Sequence, residues 1–163
     1  MSFIRSLCIL LAGLLVALAH EETIPKCTAP TVEVKRITKD NWKEVIMEGL
    51  KANIVVFFLS PTCLECRRNA ATEADKLVHM LAKTCEEDPI DQIDVGLVDC
   101  STNTLVCEIF NSTTTSRPIY IERRTAYRQK DLSSPLSAES LHQFVTGGEY
   151  KKQEYGALET TVI

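Results

Sequence analysis

The chain has 163 residues and a formal net charge of −4, with 45% hydrophobic and 25% charged residues. Those fractions are typical of a globular domain and exclude a disordered or collagen-like chain, and the acidic balance argues against a basic, nucleic-acid-binding surface. The length suits a single domain able to bury its own core, and seven cysteines against three histidines (His20, His79 and His142) turn attention to sulfur chemistry.

The chain opens with one positive charge, Arg5, followed by an uninterrupted apolar run from Leu7 to Ala19. That run is shorter than the roughly 20 residues a helix needs to cross a bilayer, and Ala17-Leu18-Ala19 supplies a small-x-small cleavage pattern. Residues 1–19 are therefore expected to be a secretory signal peptide, with no further apolar span after its removal. Cleavage takes away Cys8 and leaves Cys27, Cys63, Cys66, Cys85, Cys100 and Cys107, an even number consistent with disulfides in an oxidising compartment. The sequon Asn111-Ser112-Thr113 fits the same compartment, with Asn111 as glycan acceptor.

Residues 20–31 are polar, contain Pro25 and Pro30, and read as an N-terminal arm. Residues 32–37 alternate apolar and polar as a half-buried strand does, and Thr38 caps a helix carrying Trp42, Val45, Ile46 and Leu50 on one face. Ile54 to Leu59 is a continuous apolar run of strand length, suited to the centre of a sheet covered on both faces. Ser60-Pro61-Thr62 ends it, and a helix follows from Cys63 to about Thr84, with Ala70, Ala74, Leu77, Val78 and Leu81 on its apolar face.

A third strand spans 93–99, a short helix 102–110, and a polar loop 111–116. Residues 118–122 form a strand with a hairpin partner at 126–130, and Ser137 caps a last helix that stops at Gly147-Gly148. Residues 149–163 read as a flexible charged tail, which bounds the domain at 32–148. The order β-α-β-α-β-α-β-β-α predicts an α/β architecture, a central mixed sheet with helices on both faces.

Cys63-Leu64-Glu65-Cys66 falls where the buried strand meets the helix. A cysteine there faces unsatisfied backbone N–H groups and the positive end of the helix dipole, both of which stabilise a thiolate. Cys66 lies one turn on, placed to resolve a mixed disulfide formed at Cys63. Two blander readings stand beside this one. Half a zinc site is disfavoured because a second C-x-x-C or a histidine pair is missing, whereas a purely structural staple stays open.

The segment Phe57 to Arg68, then Val98 to Asn103 with Cys107, then Arg117-Pro118-Ile119-Tyr120-Ile121, together with Trp42, resembles the thioredoxin-like domains of the protein disulfide isomerase family over Val32–Val145. The resemblance implies a thioredoxin fold and thiol–disulfide exchange with client proteins by Cys63 and Cys66, without a cofactor. It also implies a cis Pro118 across from Cys63, with the Arg117 backbone pairing to substrate, and a structural Cys100–Cys107 bond. Cys27 and Cys85 then remain, at the end of the sheet opposite the active site, where a bond between them is geometrically allowed; sequence alone permits 15 pairings.

Several family accessories are missing. Thr62 replaces a tryptophan, Leu64 and Glu65 replace a small pair, Phe57 replaces a buried acid, and Ala71 replaces a proline. Arg128 is a weak match to the family's mobile arginine. Glu65 is expected to raise the pKa of Cys63 and make the pair more reducing. Arg123, Arg124, Arg128 and Lys130 cluster on the hairpin, where basic side chains commonly protect a strand edge.

The reading is therefore a secretory thiol–disulfide oxidoreductase, in the endoplasmic reticulum lumen or secreted. The rival is a redox-poor module that holds clients by a thioredoxin-like surface. The C-terminal Thr161-Val162-Ile163 carries no lysine-aspartate-glutamate-leucine type signal, so secretion and retention through a partner are the two expectations.

Overall fold

The apolar run in the middle of the sequence organises the whole structure. In the computed structural model, β2 (Asn53–Leu59) is buried at every position. It is flanked by β3 (Ile93–Asp99), parallel, and β4 (Ile119–Glu122), antiparallel. The structure describes residues 24, 26–28, 32–48, 53–88, 90–112, 117–123, 125–128, 137–152 and 154–157. The expected signal peptide lies outside them. Adding β1 (Lys35–Ile37), β5 (Thr125–Tyr127) and β6 (Glu154–Ala157) gives a six-stranded mixed sheet in the order β1-β3-β2-β4-β5-β6.

Alternation along β2 divides the core into two layers, because successive side chains of a strand point to opposite faces. Val55, Phe57 and Leu59 meet helix α2 (Leu64–Glu87) and helix α4 (Ala138–Thr146) through Ala70, Ala74, Leu77, Phe144 and neighbours. Ile54, Val56 and Phe58 face the other way, onto Trp42, Ile46, Val106 and Phe110, contributed by the short π-wound helix α1 (Lys43–Glu48), helix α3 (Thr104–Ile109) and their flanks. A sheet covered on both faces needs a central strand with no polar side, and 54–59 provides one.

The helix ends are satisfied where the sequence offers polar groups. Thr38 accepts the Trp42 amide through its carbonyl at 3.0 Å and the Asp40 amide through Oγ1 at 3.3 Å. Ser137 Oγ accepts from the Ser140 amide at 3.2 Å, and Glu73 of α2 accepts the Ala138 amide at 2.7 Å, which ties the start of α4 to α2. Leu50, expected on the face of α1, lies outside the described residues.

Three differences from the sequence reading have physical causes. First, the N-terminal arm is tied down: Ile24 and Cys27 are buried, the Cys27 amide donates to Ile90 at 2.9 Å, and Lys26 bridges to Asp91. Second, the segment expected to be a tail continues the fold. Residues 149–152 form a 3₁₀ turn and β6 pairs antiparallel with β5, because Tyr150 is an anchor. Its ring packs against Tyr120, Tyr127 and Phe144, and its hydroxyl donates to Glu122 at 2.8 Å. Third, the hairpin partner of β4 is shorter and starts earlier than expected, at Thr125, with Arg123 in the turn at φ 47°. Arg124 and Lys130 lie outside the described residues, as do 158–163.

Candidate active site

β2 ends at Leu59, and three residues, Ser60-Pro61-Thr62, carry the chain past the C-terminal end of the strand to Cys63, the N-cap of α2. Proline at that corner cannot extend the strand ladder, and the Ser60 and Thr62 hydroxyls lie 3.2 Å apart, closing the turn. Cys63 has extended backbone angles (φ −123°, ψ 98°), and its Sγ accepts a hydrogen bond from the Cys66 amide at 3.1 Å. Its sulfur thus occupies the place where serine or aspartate oxygens usually sit in helix caps, facing the N–H groups that stabilise negative charge.

Cys63 and Cys66 are joined by a disulfide, Cα–Cα 5.2 Å, and both are half-buried. Leu64, between them, is 64% exposed, and Glu65 is exposed as well. The other pairs differ in access. Cys100–Cys107 joins the end of β3 to α3, with the two residues 4% and 0% exposed. Cys27–Cys85 joins the arm to the far end of α2, both residues again buried. Among the described residues, Cys63 and Cys66 are thus the disulfide-bonded cysteines that are not fully buried.

The site also holds a charge pair that sequence reading missed. Arg67, one residue past Cys66, grips Asp99 at the end of β3 with a fork of two hydrogen bonds, Nη1–Oδ1 2.9 Å and Nη2–Oδ2 2.7 Å. The Arg67 guanidinium, helped by the Ser101 hydroxyl and amide, holds the Asp99 carboxyl well below the usual carboxylate range, and Asp99 in turn raises Arg67. The adjacency of Arg67 to the C-x-x-C and the Asp at a strand end were both visible as residues. Their pairing depended on the β2–β3 register, in which Leu59 lies opposite Asp99.

The other expected site residues are placed as follows. Pro118 is buried and Arg117 exposed. The Val56–Ile119 pairing puts both on the side of β4 nearest the C-terminal end of β2, the end from which Cys63 follows. The cis bond at Pro118 is corrected: the peptide bond entering it is trans. Trans is the lower-energy isomer even before proline, and Pro118 here leads directly into an extended strand. Phe57, where the family places an acid, is fully buried among apolar side chains. Arg128 is anchored rather than swung toward the disulfide, since its Nη2 donates to the Phe110 carbonyl at 2.8 Å and to Ser112 Oγ at 3.2 Å. Asn111 is exposed at a left-handed φ of 48°, and Ser112 beside it is fully buried.

Comparison with solved structures places this architecture in a known class: the chain has the thioredoxin fold. It is similar to the first thioredoxin domain of mouse protein disulfide-isomerase A4, with a TM-score of 0.56 and 14% identity, covering 89% of this chain and 92% of that one. Chloroplastic thioredoxin z gives a TM-score of 0.54 at 14% identity, covering 75% of this chain and 97% of that one. The J-Trx1 fragment of ERdj5 gives 0.52 at 16%, covering 71% of this chain and 51% of the fragment. No protein-family model matches the chain, and no curated protein does.

Proposed function

We propose that the protein is a thiol–disulfide oxidoreductase of the protein disulfide isomerase type, acting on protein thiols in the secretory pathway. The observation that carries this reading is the accessible Cys63–Cys66 bond at a helix N-cap, with Cys63 Sγ receiving the Cys66 amide, beside two buried disulfides in the same fold. In the reduced protein, the Cys63 thiolate attacks one sulfur of a client disulfide. A Cys63–client bond forms and the client's other sulfur leaves as a thiolate. Cys66 then attacks Cys63 Sγ, the second client sulfur leaves, and the two cysteines end as a disulfide while the client is reduced by two electrons. Run backward, the same steps oxidise a client dithiol. The Arg117 backbone, at the sheet end beside Cys63, is the segment proposed to align an extended client chain.

The compartment is supported by the apolar N-terminal segment, by the three disulfides, and by the exposed Asn111 of a glycosylation sequon. Expression through a secretory route should give a product whose gel mobility increases on deglycosylation. The Asn111→Gln variant should already run at the faster position.

The decisive experiment is a trap. With Cys66→Ala, Cys63 cannot be resolved, and client adducts should accumulate on non-reducing gels and collapse with reductant. A second reading, a module that holds clients without turnover, draws on Phe57 in place of an acid and on the exposed Leu64. If the variant traps nothing and the wild type does not exchange with glutathione, that second reading replaces the first.

A further inference from the structure

The Arg67–Asp99 fork joins the first turn of the redox helix to the strand beside it, and its two ends differ in freedom. Arg67 lies on the same helix face as Cys63: its amide donates to the Cys63 carbonyl at 3.1 Å, and residues four apart are neighbours on a helix surface. Asp99 has no comparable freedom. Its carboxylate accepts from the Ser101 amide at 2.9 Å and the Ser101 hydroxyl at 2.6 Å, and its carbonyl from the Asn103 amide and side chain. The next residue, Cys100, is pinned through its amide to Leu59 at 3.1 Å and through its sulfur to Cys107. The Cys100–Cys107 bond therefore fixes the corner that holds the carboxylate, and the carboxylate fixes where the guanidinium points.

We infer that Arg67 and Asp99 are positioning residues for the sulfur pair, with Asp99 neutralising a positive charge that is carried one turn from Cys63 and so keeping its thiolate from becoming too stable. The inference rests on the proposed chemistry of Cys63. A paired Arg67 and Asp99 carry no net charge, so the reduced Cys63 responds to the helix end and to exposed Glu65 and Arg68. Removing Asp99 deletes a negative charge and releases a cation one turn from the sulfur; both changes favour the thiolate. Removing Arg67 leaves an uncompensated carboxylate, which disfavours it. A pair acting only as a mechanical brace has a different signature, because either loss loosens the same helix end.

The test is the pH dependence of Cys63 alkylation by iodoacetamide in the full chain with Cys63–Cys66 selectively reduced and the two buried disulfides intact, with the modified residue identified by mass spectrometry. At a pH below the wild-type midpoint, Asp99→Asn should speed alkylation roughly three- to tenfold and Arg67→Gln should slow it by a similar factor. The double variant should return near wild type. Arg67→Lys, which keeps a cation able to pair with Asp99, should titrate near wild type even if it melts earlier; where Arg67→Gln folds poorly, its contrast with Asp99→Asn carries the test, because a brace would shift both alike. Shifts of the same sign in both single variants, or no shift in either, would overturn the inference and leave a brace. The readout uses neither client nor glutathione. Opposite shifts in a protein that fails to exchange would retain the positioning role and remove the oxidoreductase.

Discussion

Helix α2 begins at one disulfide and ends at another, roughly 33 Å apart along its axis. At its start, Cys63 and Cys66 are three residues apart, half-buried, and within reach of solvent. At its end, Cys85 bonds Cys27 across 58 residues, and both residues are buried under the tied-down arm. Opening the first releases almost no chain, because the helix already holds the two sulfurs close. Opening the second frees a loop that spans a third of the protein. A bond that must open and close repeatedly belongs at a place where little else depends on it, and a bond that holds the fold belongs where reductant does not reach.

The most direct way to break this contrast is to remove each bond in turn. On chain-entropy grounds, Cys27→Ala with Cys85→Ala should lower stability by about 4 kcal/mol, read as a shift of the urea midpoint, while the glutathione exchange rate of Cys63 stays near wild type. Cys63→Ala with Cys66→Ala should cost about 2 kcal/mol or less and abolish exchange altogether. If the first double variant lost exchange and kept its stability, the two ends of α2 would have been assigned the wrong way round.

Charge at the Cys63 end of α2 sharpens the contrast further. Asp99 titrates below its unfolded value, so its contribution is complete above about pH 5 and is lost as the pH falls through about 3.9 toward the folded pKa. The wild type should exceed Asp99→Asn by about 1 kcal/mol near neutrality, a figure already reduced because both side chains of the pair are about one-third exposed. The gap should close below pH 4 in urea titrations. At Glu65 the expected effect is on reduction potential. Replacing it with histidine should raise the reduction potential by about 10–20 mV in a glutathione equilibrium, since an exposed charge at a helix start is worth only tenths of a kcal/mol to about 1.

The sequence revealed what depends on local pattern. The run 54–59 announced a strand buried on both faces, and the C-x-x-C at its end announced the cap, because both are consequences of a few adjacent residues. It concealed what depends on register and on distant partners. Arg67 and Asp99 meet only once β2 and β3 align Leu59 with Asp99. Tyr150 looked like part of a charged tail because the aromatic rings that receive it come from β4, β5 and α4. The family pattern at Pro118 led to a cis bond where the chain runs trans, since a motif records a position and not the isomer. Arg128 shows the same limit: its basic charge was legible, but its anchoring to Phe110 and Ser112 was not.

The smallest effect is expected at the other end of α2, where Thr84 precedes Cys85. His142 of α4 lies 2.7 Å from Thr84 Oγ1, and that hydroxyl also donates to the Met80 carbonyl at 3.1 Å. With the hydroxyl hydrogen committed to Met80, the imidazole Nε2 is the donor of the shorter bond, an arrangement the neutral ring satisfies. Burial lowers the pKa of His142, so the unfolded chain takes up the proton first as the pH falls below about 6.5. The stability His142 contributes is therefore complete above that pH and declines as the pH passes through its folded value. His142→Gln keeps a donor for Thr84 and should show a smaller drop in urea midpoint between pH 7 and pH 5 than the wild type. The pH profile of Cys63 alkylation should be the same in both proteins, because the two ends of the helix answer to different partners. A His142 variant that shifted the Cys63 profile would mean that α2 transmits strain along its length, and that the division between its two disulfides is not as complete as their burial makes it.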